Sequence, residues 1–183
     1  MKMRIISGEF GGRLIKVPAS KLIRPTTDRV RETLFNLLNN KLSFEDIAVL
    51  DLYSGSGSLG LECLSRGVAT VDFVEKDYII FRNLQENINS LEVGGKSKIF
   101  KIEAVRFTSL TEHKVYDLIL ADPPFFNDDI YKVVENILTN RYLAIGSFIF
   151  IERSIQTKSK DIDNFKRDPF KIIGDTCLYQ IGY

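Results

Sequence analysis

The sequence predicts an α/β protein with a mostly parallel, seven-stranded sheet and helices on both faces. Strand-like apolar segments alternate with amphipathic segments between residues 47 and 152, as they do when helices connect parallel strands. A glycine-rich turn joins the first of these strands to the following helix. Two strand-like segments within residues 166–182 follow one another with no helix between them. This pattern predicts an antiparallel C-terminal strand on the parallel sheet.

A hairpin and a helix are predicted before the alternating region. Residues 3–6 and 13–17 have strand-like composition, and three glycines lie in the turn between them. Residues 28–40 are predicted to be helical, because Val30, Leu34 and Leu38 fall on one face at helical spacing. The hairpin and this helix therefore precede the sheet.

The other elements follow in regular alternation. The predicted strands are residues 47–53, 70–75, 97–102, 116–121 and 147–152, and the predicted helices are residues 58–65, 77–89 and 129–138. No linker, repeat or low-complexity segment divides the chain. We therefore expect a single domain over residues 1–183.

Composition excludes several classes of protein. Of 183 residues, 44% are hydrophobic, and no apolar run reaches the ~20 residues that a membrane span requires. The only cysteines, Cys63 and Cys177, are far apart and lack metal-ligand spacing, so we expect reduced core thiols in a cytoplasmic protein without a metal. Residues 1–36 contain eight basic and three acidic residues, which indicates either an anionic partner on that side or a solvated charged surface.

The glycine-rich turn indicates a site for an adenosine-containing cofactor. Gly55, Gly57 and Gly60 have the G-x-G-x-x-G spacing, and Glu75 ends the next strand 20 residues after Gly55. Glycines allow close approach of a ligand, and a carboxylate at that distance can accept hydrogen bonds from ribose hydroxyls. A dinucleotide would place its pyrophosphate on the helix N-terminus. The acidic Asp51 instead favours S-adenosylmethionine, whose amino-acid part and sulfonium carry positive charge.

A second motif follows the strand at residues 116–121. It consists of Asp122, Pro123, Pro124 and Phe125. The prolines lack backbone N–H groups and have a fixed φ, so they supply carbonyl acceptors in a rigid arrangement. The motif could simply end a strand in a turn, but loops at this edge of a parallel sheet are where ligands bind.

Both motifs together resemble a known family. "DLYSGSGSLG" and "LADPPF" resemble class I S-adenosylmethionine-dependent methyltransferases that act on exocyclic amino groups of bases. "RIISGEFGGR" (4–13) and "LIRPTTDRVRETLFNLL" (22–38) resemble the RsmD family of bacterial 16S rRNA guanine-N2 methyltransferases. The resemblance covers almost the whole chain and implies a Rossmann-like class I methyltransferase fold. D-P-P-F is shared with adenine-N6 enzymes, so the expectation that the substrate base is guanine rests on the two longer segments.

The resemblance implies roles for individual residues. The Asp122 carboxylate and the Pro123 carbonyl would accept hydrogen bonds from the amino group, Pro124 would stiffen the turn, and Phe125 would stack on a flipped base. Glu103 and Ala104 stand where the family has an aspartate that contacts adenine. The residues expected to bind S-adenosylmethionine, with S-adenosylhomocysteine as product, are Asp51, Tyr53, Ser54, Gly55, Gly57, Glu75, Glu103 and Ala104.

The expected partner is 16S rRNA, within a small-subunit assembly particle. Phosphate contacts are expected from the extension over residues 1–26 and from the following helix of the catalytic core, residues 27–183. The expected RNA-binding residues are Arg4, Arg13, Lys16, Arg24, Arg29 and Arg31. We expect a monomer with no membrane contact. An adenine-N6 methyltransferase and a nicotinamide-dependent dehydrogenase are the alternatives, but no separate DNA-reading domain supports the first, and the second does not explain D-P-P-F.

Overall fold

The computed structural model describes residues 1–18, 28–124 and 127–182. Strands β1 (Lys2–Arg4) and β2 (Leu14–Lys16) form the predicted antiparallel hairpin. Met3 and Ile15 face each other across it and are buried. Helix α1 (Asp28–Asn39) follows, and the predicted apolar face is buried. The hairpin and α1 thus both contribute apolar residues to the core.

Seven strands form the main sheet. They are β3 (Ala48–Leu52), β4 (Thr70–Val74), β5 (Ser97–Phe100), β6 (Tyr116–Ala121), β7 (Leu143–Ser154), β8 (Lys171–Ile173) and β9 (Thr176–Gly182). Their spatial order is β5-β4-β3-β6-β7-β9-β8. The first five strands in this spatial order are parallel to one another, and β9 is antiparallel to both of its neighbours. The predicted sheet and its antiparallel C-terminal strand are confirmed.

Helices cover both faces of this sheet. They are α2 (Ser58–Ser65), α3 (Tyr78–Leu91), α4 (Ala104–Thr108), α5 (Asp129–Thr139) and α6 (Lys158–Phe165), with short 3-10 helices at Gly94–Lys96 and Ile155–Thr157. One core layer contains α1, α2, α3 and the hairpin, and the other contains α4 and α5. Successive β3 residues face opposite layers, with Val49 in the first and Leu50 in the second. Burial on both faces explains why the central strands are almost continuously apolar.

Four features differ from the predictions. Helix α4 has five residues, too few to show a helical period, and α6 is mostly polar, so its sequence shows no apolar stripe. Strand β7 extends beyond the predicted residues 147–152 because it pairs with β6 on one side and β9 on the other. Strand β5 stops at Phe100, two residues short of the prediction.

Among the described residues, no helix has the length and apolar character needed to cross a membrane.

Candidate active site

Strand register brings three acidic side chains to one edge of the sheet. Leu52 of β3 pairs with Val74 of β4 and with Ala121 of β6. The residues that follow these two partners are Glu75 and Asp122, so both leave the sheet at the same level. Asp51, just before Leu52, lies between them on the central strand. The glycine loop and the D-P-P turn therefore meet where the sequence predicts a ligand site.

Asp51 is a buried carboxylate held by a main-chain donor. Its side chain is 2% exposed, and its Oδ2 accepts a hydrogen bond from the Gly60 N–H in the first turn of α2 at 2.9 Å. Burial raises the pKa of Asp51 to about 8, the Gly60 hydrogen bond opposes this shift, and the negative charges of Asp122 and Glu75 add to it. The site therefore favours a positively charged ligand.

Glu75 ties the glycine loop to the end of β4. Its Oε2 accepts from the Gly55 N–H at 3.1 Å, and its Oε1 accepts from the Asp77 N–H at 2.8 Å. Burial raises its pKa, which these hydrogen bonds oppose. The Ser54 hydroxyl donates to the Asp51 carbonyl at 2.6 Å and accepts from the Val74 N–H at 2.9 Å. The Ser54 hydroxyl thus links β3 to β4 through hydrogen bonds to main-chain atoms of both strands.

The two glycines of the loop have different surroundings. Gly55 has φ +56°, and a Cβ there would meet no atom closer than the Tyr53 carbonyl at 3.9 Å. Gly57 has φ +81°, and a Cβ there would lie 2.4 Å from Leu84 Cδ1 of α3. Gly57 is therefore required for the packing of α2 against α3, whereas Gly55 borders open space that a ligand can enter.

Tyr53, Glu103 and Ala104 lie around this edge. Tyr53 has φ +57°, which is unusual for a non-glycine residue, and its hydroxyl donates to Asp129 Oδ1 of α5 at 2.6 Å. Ala104 is buried at the start of α4. Glu103 precedes it with an exposed side chain, 3.5 Å from Lys76 Nζ. The positions suit the predicted cofactor contacts of these residues, which stay predictions.

The residues of the D-P-P turn differ in exposure, and the last of them accepts a hydrogen bond. Asp122 is partly exposed, Pro123 is buried and Pro124 is exposed. The Pro124 carbonyl accepts from the Asn127 N–H at 2.9 Å. The Pro124 carbonyl is therefore occupied by a hydrogen bond within the turn. This arrangement is compatible with the prediction that the Pro123 carbonyl contacts the substrate. Phe125 lies outside the described residues.

The hairpin is fixed to α2 by a buried glutamate that the sequence reasoning missed. Glu62 has no exposed surface, and its carboxylate accepts from the Ile6 N–H at 2.7 Å and the Ser7 N–H at 3.1 Å. Arg66 neutralises it, with Nε 2.9 Å from Oε1. The available signal was a glutamate within the otherwise uncharged segment GLECLS.

Asn87 of α3 connects the hairpin to the glycine loop. Its Oδ1 accepts from the Lys16 N–H at 2.8 Å, and its Nδ2 donates to the carbonyls of Lys16 and Ser56, each at 2.9 Å. Ser56 lies between Gly55 and Gly57, so the Asn87 side chain contacts both the hairpin and the glycine loop. A single asparagine in an amphipathic helix gave no sequence signal of this role.

The outer face of the hairpin is basic. Lys2 lies opposite Lys16 and Arg4 opposite Leu14, and all four side chains are exposed. Like charges directly opposite each other destabilise a strand pair. Lys16 Nζ contacts Glu86 at 2.8 Å, which relieves part of this repulsion. Lys2 was not among the predicted RNA contacts, but its position places it on the same face as Arg4 and Lys16.

The other predicted RNA contacts are dispersed. Arg13 is exposed and donates to the Ser90 carbonyl of α3. Arg29 is exposed on α1, and Arg24 lies outside the described residues. Arg31 has no exposed surface and donates to the Arg4 carbonyl at 2.8 Å. Burial of Arg31 contradicts the expected phosphate contact and gives it a structural role between α1 and the hairpin.

Comparisons with known proteins agree over nearly the whole chain. A model of the family described as "Conserved hypothetical protein 95" matches residues 3–181. Ribosomal RNA small subunit methyltransferase D of Escherichia coli is 35% identical over 182 residues, covering 98% of this chain and 90% of that protein. The protein of the same name from Haemophilus influenzae is 32% identical over 153 residues, covering 82% and 78%.

A solved structure supports the same relationship. Escherichia coli yhhF, a proposed methyltransferase, has a TM-score of 0.81 at 30% identity, and the match covers 98% of both chains. The class I methyltransferase fold expected from the sequence is confirmed.

Replacing Asp51 with asparagine should change how stability depends on pH. Between the ordinary value of 3.8 and the folded value of about 8, the folded protein keeps a proton that the unfolded chain releases. The contribution of Asp51 to the free energy of unfolding therefore falls as pH rises through this window. Asp51→Asn keeps an acceptor for Gly60 and does not ionise. Its melting temperature, relative to the unsubstituted protein, should rise between about pH 4 and pH 8.

Thermal unfolding at several pH values measures this difference. Asp175→Asn removes an exposed carboxylate and serves as the control, with little pH-dependent difference expected. A difference for Asp51→Asn that is constant with pH would contradict the assigned pKa.

Alanine substitution of the two loop glycines should lower the free energy of unfolding by different amounts. Gly57→Ala forces a left-handed backbone and a clash with Leu84, so it should lower the free energy of unfolding by about 2–4 kcal/mol. Gly55→Ala meets only the backbone penalty of about 1–2 kcal/mol. Urea denaturation of both variants measures the contrast, and equal losses would show that Leu84 moves aside without cost.

Proposed function

The chain belongs to the family that includes ribosomal RNA small subunit methyltransferase D, and we propose that it methylates the exocyclic N2 amino group of a guanine in 16S rRNA. The chain is a methyltransferase by its relatives and its fold. The observation that carries the proposal is the strand register, which pairs Leu52 with Ala121 and so brings Asp122 to the sheet edge beside the buried Asp51. An amino-group site thereby adjoins a site for a cationic donor. Guanine N2 rests on the resemblance of residues 4–13 and 22–38.

The residues present fit S-adenosylmethionine. When bound, this group supplies a methyl that its sulfonium charge has already activated. Asp51 and Glu75 are buried, and electrostatic attraction in a buried site is stronger than in water. A positively charged ligand would lower the raised pKa of Asp51 and favour its charged form. Gly55 leaves open the space that a larger residue would fill. We assign Asp51 and the Gly55–Gly57 loop to the amino-acid part of the donor, Glu75 to its ribose, and Glu103 with Ala104 to its adenine.

Asp122 and Pro123 act on the acceptor base. A base amino nitrogen is a poor nucleophile because its lone pair is delocalised into the ring. The Asp122 carboxylate and the Pro123 carbonyl accept hydrogen bonds from the two N–H groups, which favours a tetrahedral nitrogen with an available lone pair. Neither proline offers a competing N–H donor. These groups are fixed before the reaction, so catalysis comes from alignment and electrostatics.

The basic hairpin face provides the contact with RNA. Lys2, Arg4 and Lys16 present positive charge on one exposed surface, and phosphate contacts of this kind orient a protein on nucleic acid without reading its sequence. A flipped guanine in a loop is accessible at lower cost than one in a duplex. We assign the protein to the cytoplasm, as a monomer acting on a small-subunit assembly particle.

The direct test uses purified protein, labelled S-adenosylmethionine, and small-subunit RNA and particles that lack the modification. Label should appear in N2-methylguanine at one nucleotide, as mapped by mass spectrometry of nuclease fragments. Label in N6-methyladenine would support the adenine alternative. No stabilisation by the methyl donor, with stabilisation by NAD instead, would overturn the assignment to methyl transfer.

Asp122→Asn should reduce turnover without weakening the donor site. The amide keeps the size of the side chain but loses the negative charge that supports the developing positive charge on nitrogen. We expect kcat to fall about 100- to 1,000-fold, with the dissociation constant for S-adenosylmethionine changed by less than about twofold. Single-turnover methylation and isothermal calorimetry measure the two quantities. Asp163→Asn, an exposed position on α6, is the matched control, and equal activities of the two variants would refute this role.

Neutralising the hairpin face should weaken RNA binding in a salt-dependent way. Lys2→Gln combined with Arg4→Gln should reduce the slope of log affinity against log salt by about 1 to 2. Lys132→Gln combined with Lys171→Gln makes the same change in charge on α5 and β8 and should leave the slope intact. Fluorescence anisotropy with a labelled 16S fragment gives the slopes. Equal slopes for both double variants would place the RNA surface elsewhere.

A further inference from the structure

A buried ion pair lies beneath the segment that follows the D-P-P turn. Arg153, near the end of β7, has its Nε 3.0 Å from Asp161 Oδ1 of α6. Both side chains are almost completely buried. Asp161 also accepts from the Tyr131 hydroxyl at 2.8 Å and from the Thr157 hydroxyl at 2.7 Å. Its carboxylate is thus oriented by donors from three elements.

The same arginine reaches the turn through Asn127. Arg153 Nη1 donates to the Asn127 carbonyl at 3.2 Å, and the Asn127 N–H donates to the Pro124 carbonyl at 2.9 Å. A continuous chain of hydrogen bonds therefore runs from Asp161 through Arg153 and Asn127 to Pro124. The next two residues are also attached, Asp128 to Lys160 of α6 and Asp129 to Tyr53. The exposed Asp128 pair adds little, which leaves the buried arginine as a principal anchor.

Stability alone does not account for this arrangement. A buried ion pair is often no more stable than well-packed apolar residues of similar size. Among the described residues, Arg153 Nη2 also lacks a hydrogen-bond partner, which adds a desolvation cost. An aliphatic side chain would fill the space without this cost, but it would leave the Asn127 carbonyl without its donor.

We propose that Arg153 and Asp161 are positioning residues that hold the Asp122–Pro124 turn in the geometry required for methyl transfer. The proposal rests on the proposed function of that turn. Neither residue touches the donor or the base. Asp161 fixes the plane of the guanidinium, Arg153 fixes Asn127, and Asn127 fixes Pro124. A shift of the turn by about 1 Å would be enough to lower the rate strongly.

The decisive variant is Arg153→Met combined with Asp161→Leu. It removes both charges together, so no unpaired buried charge remains and the protein should fold. We expect kcat to fall about 10- to 100-fold, with the dissociation constant for S-adenosylmethionine within about twofold of the original. Arg153→Lys keeps the charge but cannot contact Asp161 and Asn127 as a planar fork, so it should show the same split to a smaller extent.

A matched control separates positioning from general loss of stability. Ile137→Val trims a buried residue in the last part of α5, away from Asn127, and should lower the melting temperature without lowering kcat. Unchanged kcat in the folded double variant would overturn the proposal. So would a loss in donor affinity as large as the loss in kcat, because that result would indicate a general distortion of the site.

Hydrogen–deuterium exchange provides a readout that does not require activity. In the double variant, peptides containing Asn127 and the first turn of α5 should exchange faster, while those of α2 remain protected. This measurement keeps the proposal testable if the native protein transfers no methyl group to guanine, since that result would refute only the proposed function. Unchanged exchange at Asn127 would refute the anchoring role itself.

Discussion

The site depends on holding acidic side chains together at one edge of the sheet. Asp51 is buried, and Glu75 and Asp122 add negative charge near it. Main-chain N–H groups of Gly60, Gly55 and Asp77 partly compensate for this cost. At the Asp51 carboxylate the compensation requires glycine, since a Cβ on Gly60 would lie 2.9 Å from the Asp51 carboxylate and 2.3 Å from the Phe73 ring. Gly60 is thus a consequence of burying Asp51, whereas Gly57 is required by the packing of α2 against α3.

The helices that start at this edge also hold the N-terminal hairpin with its basic face. Glu62 of α2 and Asn87 of α3 bind the backbone of the hairpin, and Asn87 also binds Ser56 in the glycine loop. Because these contacts are directional, the hairpin cannot shift far without disturbing α2 and α3. The basic face is therefore held in a fixed position relative to the glycine loop. A fixed position suits an enzyme that must place one nucleotide of a large RNA in its active site.

Sequence patterns predicted what depends on period and strand order. Alternating apolar segments identified the strands of the sheet, and parallel order placed Asp51, Glu75 and Asp122 at one edge. Patterns did not predict features set by single tertiary contacts. Arg31 looked like one more exposed cation, but the fold buries it against the Arg4 carbonyl. Helix α6 has no apolar stripe, and its one buried residue is an aspartate, Asp161. Glu62 and Asn87 are polar groups whose main-chain partners lie 31 to 71 residues away in sequence, beyond the reach of any local pattern.

The two parts of the proposed site are supported in different ways. The acidic groups assigned to the methyl donor accept hydrogen bonds from main-chain N–H groups of Gly55, Gly60 and Asp77. In the turn that we assign to the acceptor base, Pro123 and Pro124 lack N–H groups and therefore offer no competing donor. The same lack prevents the turn from anchoring itself through its own prolines. Support must come from neighbouring residues, which is why Asn127 donates to Pro124 and why a buried arginine in turn donates to Asn127. The proposed acceptor role of the turn thus accounts for the buried ion pair, because a turn whose prolines cannot donate hydrogen bonds takes its support from Asn127 and, through Asn127, from Arg153.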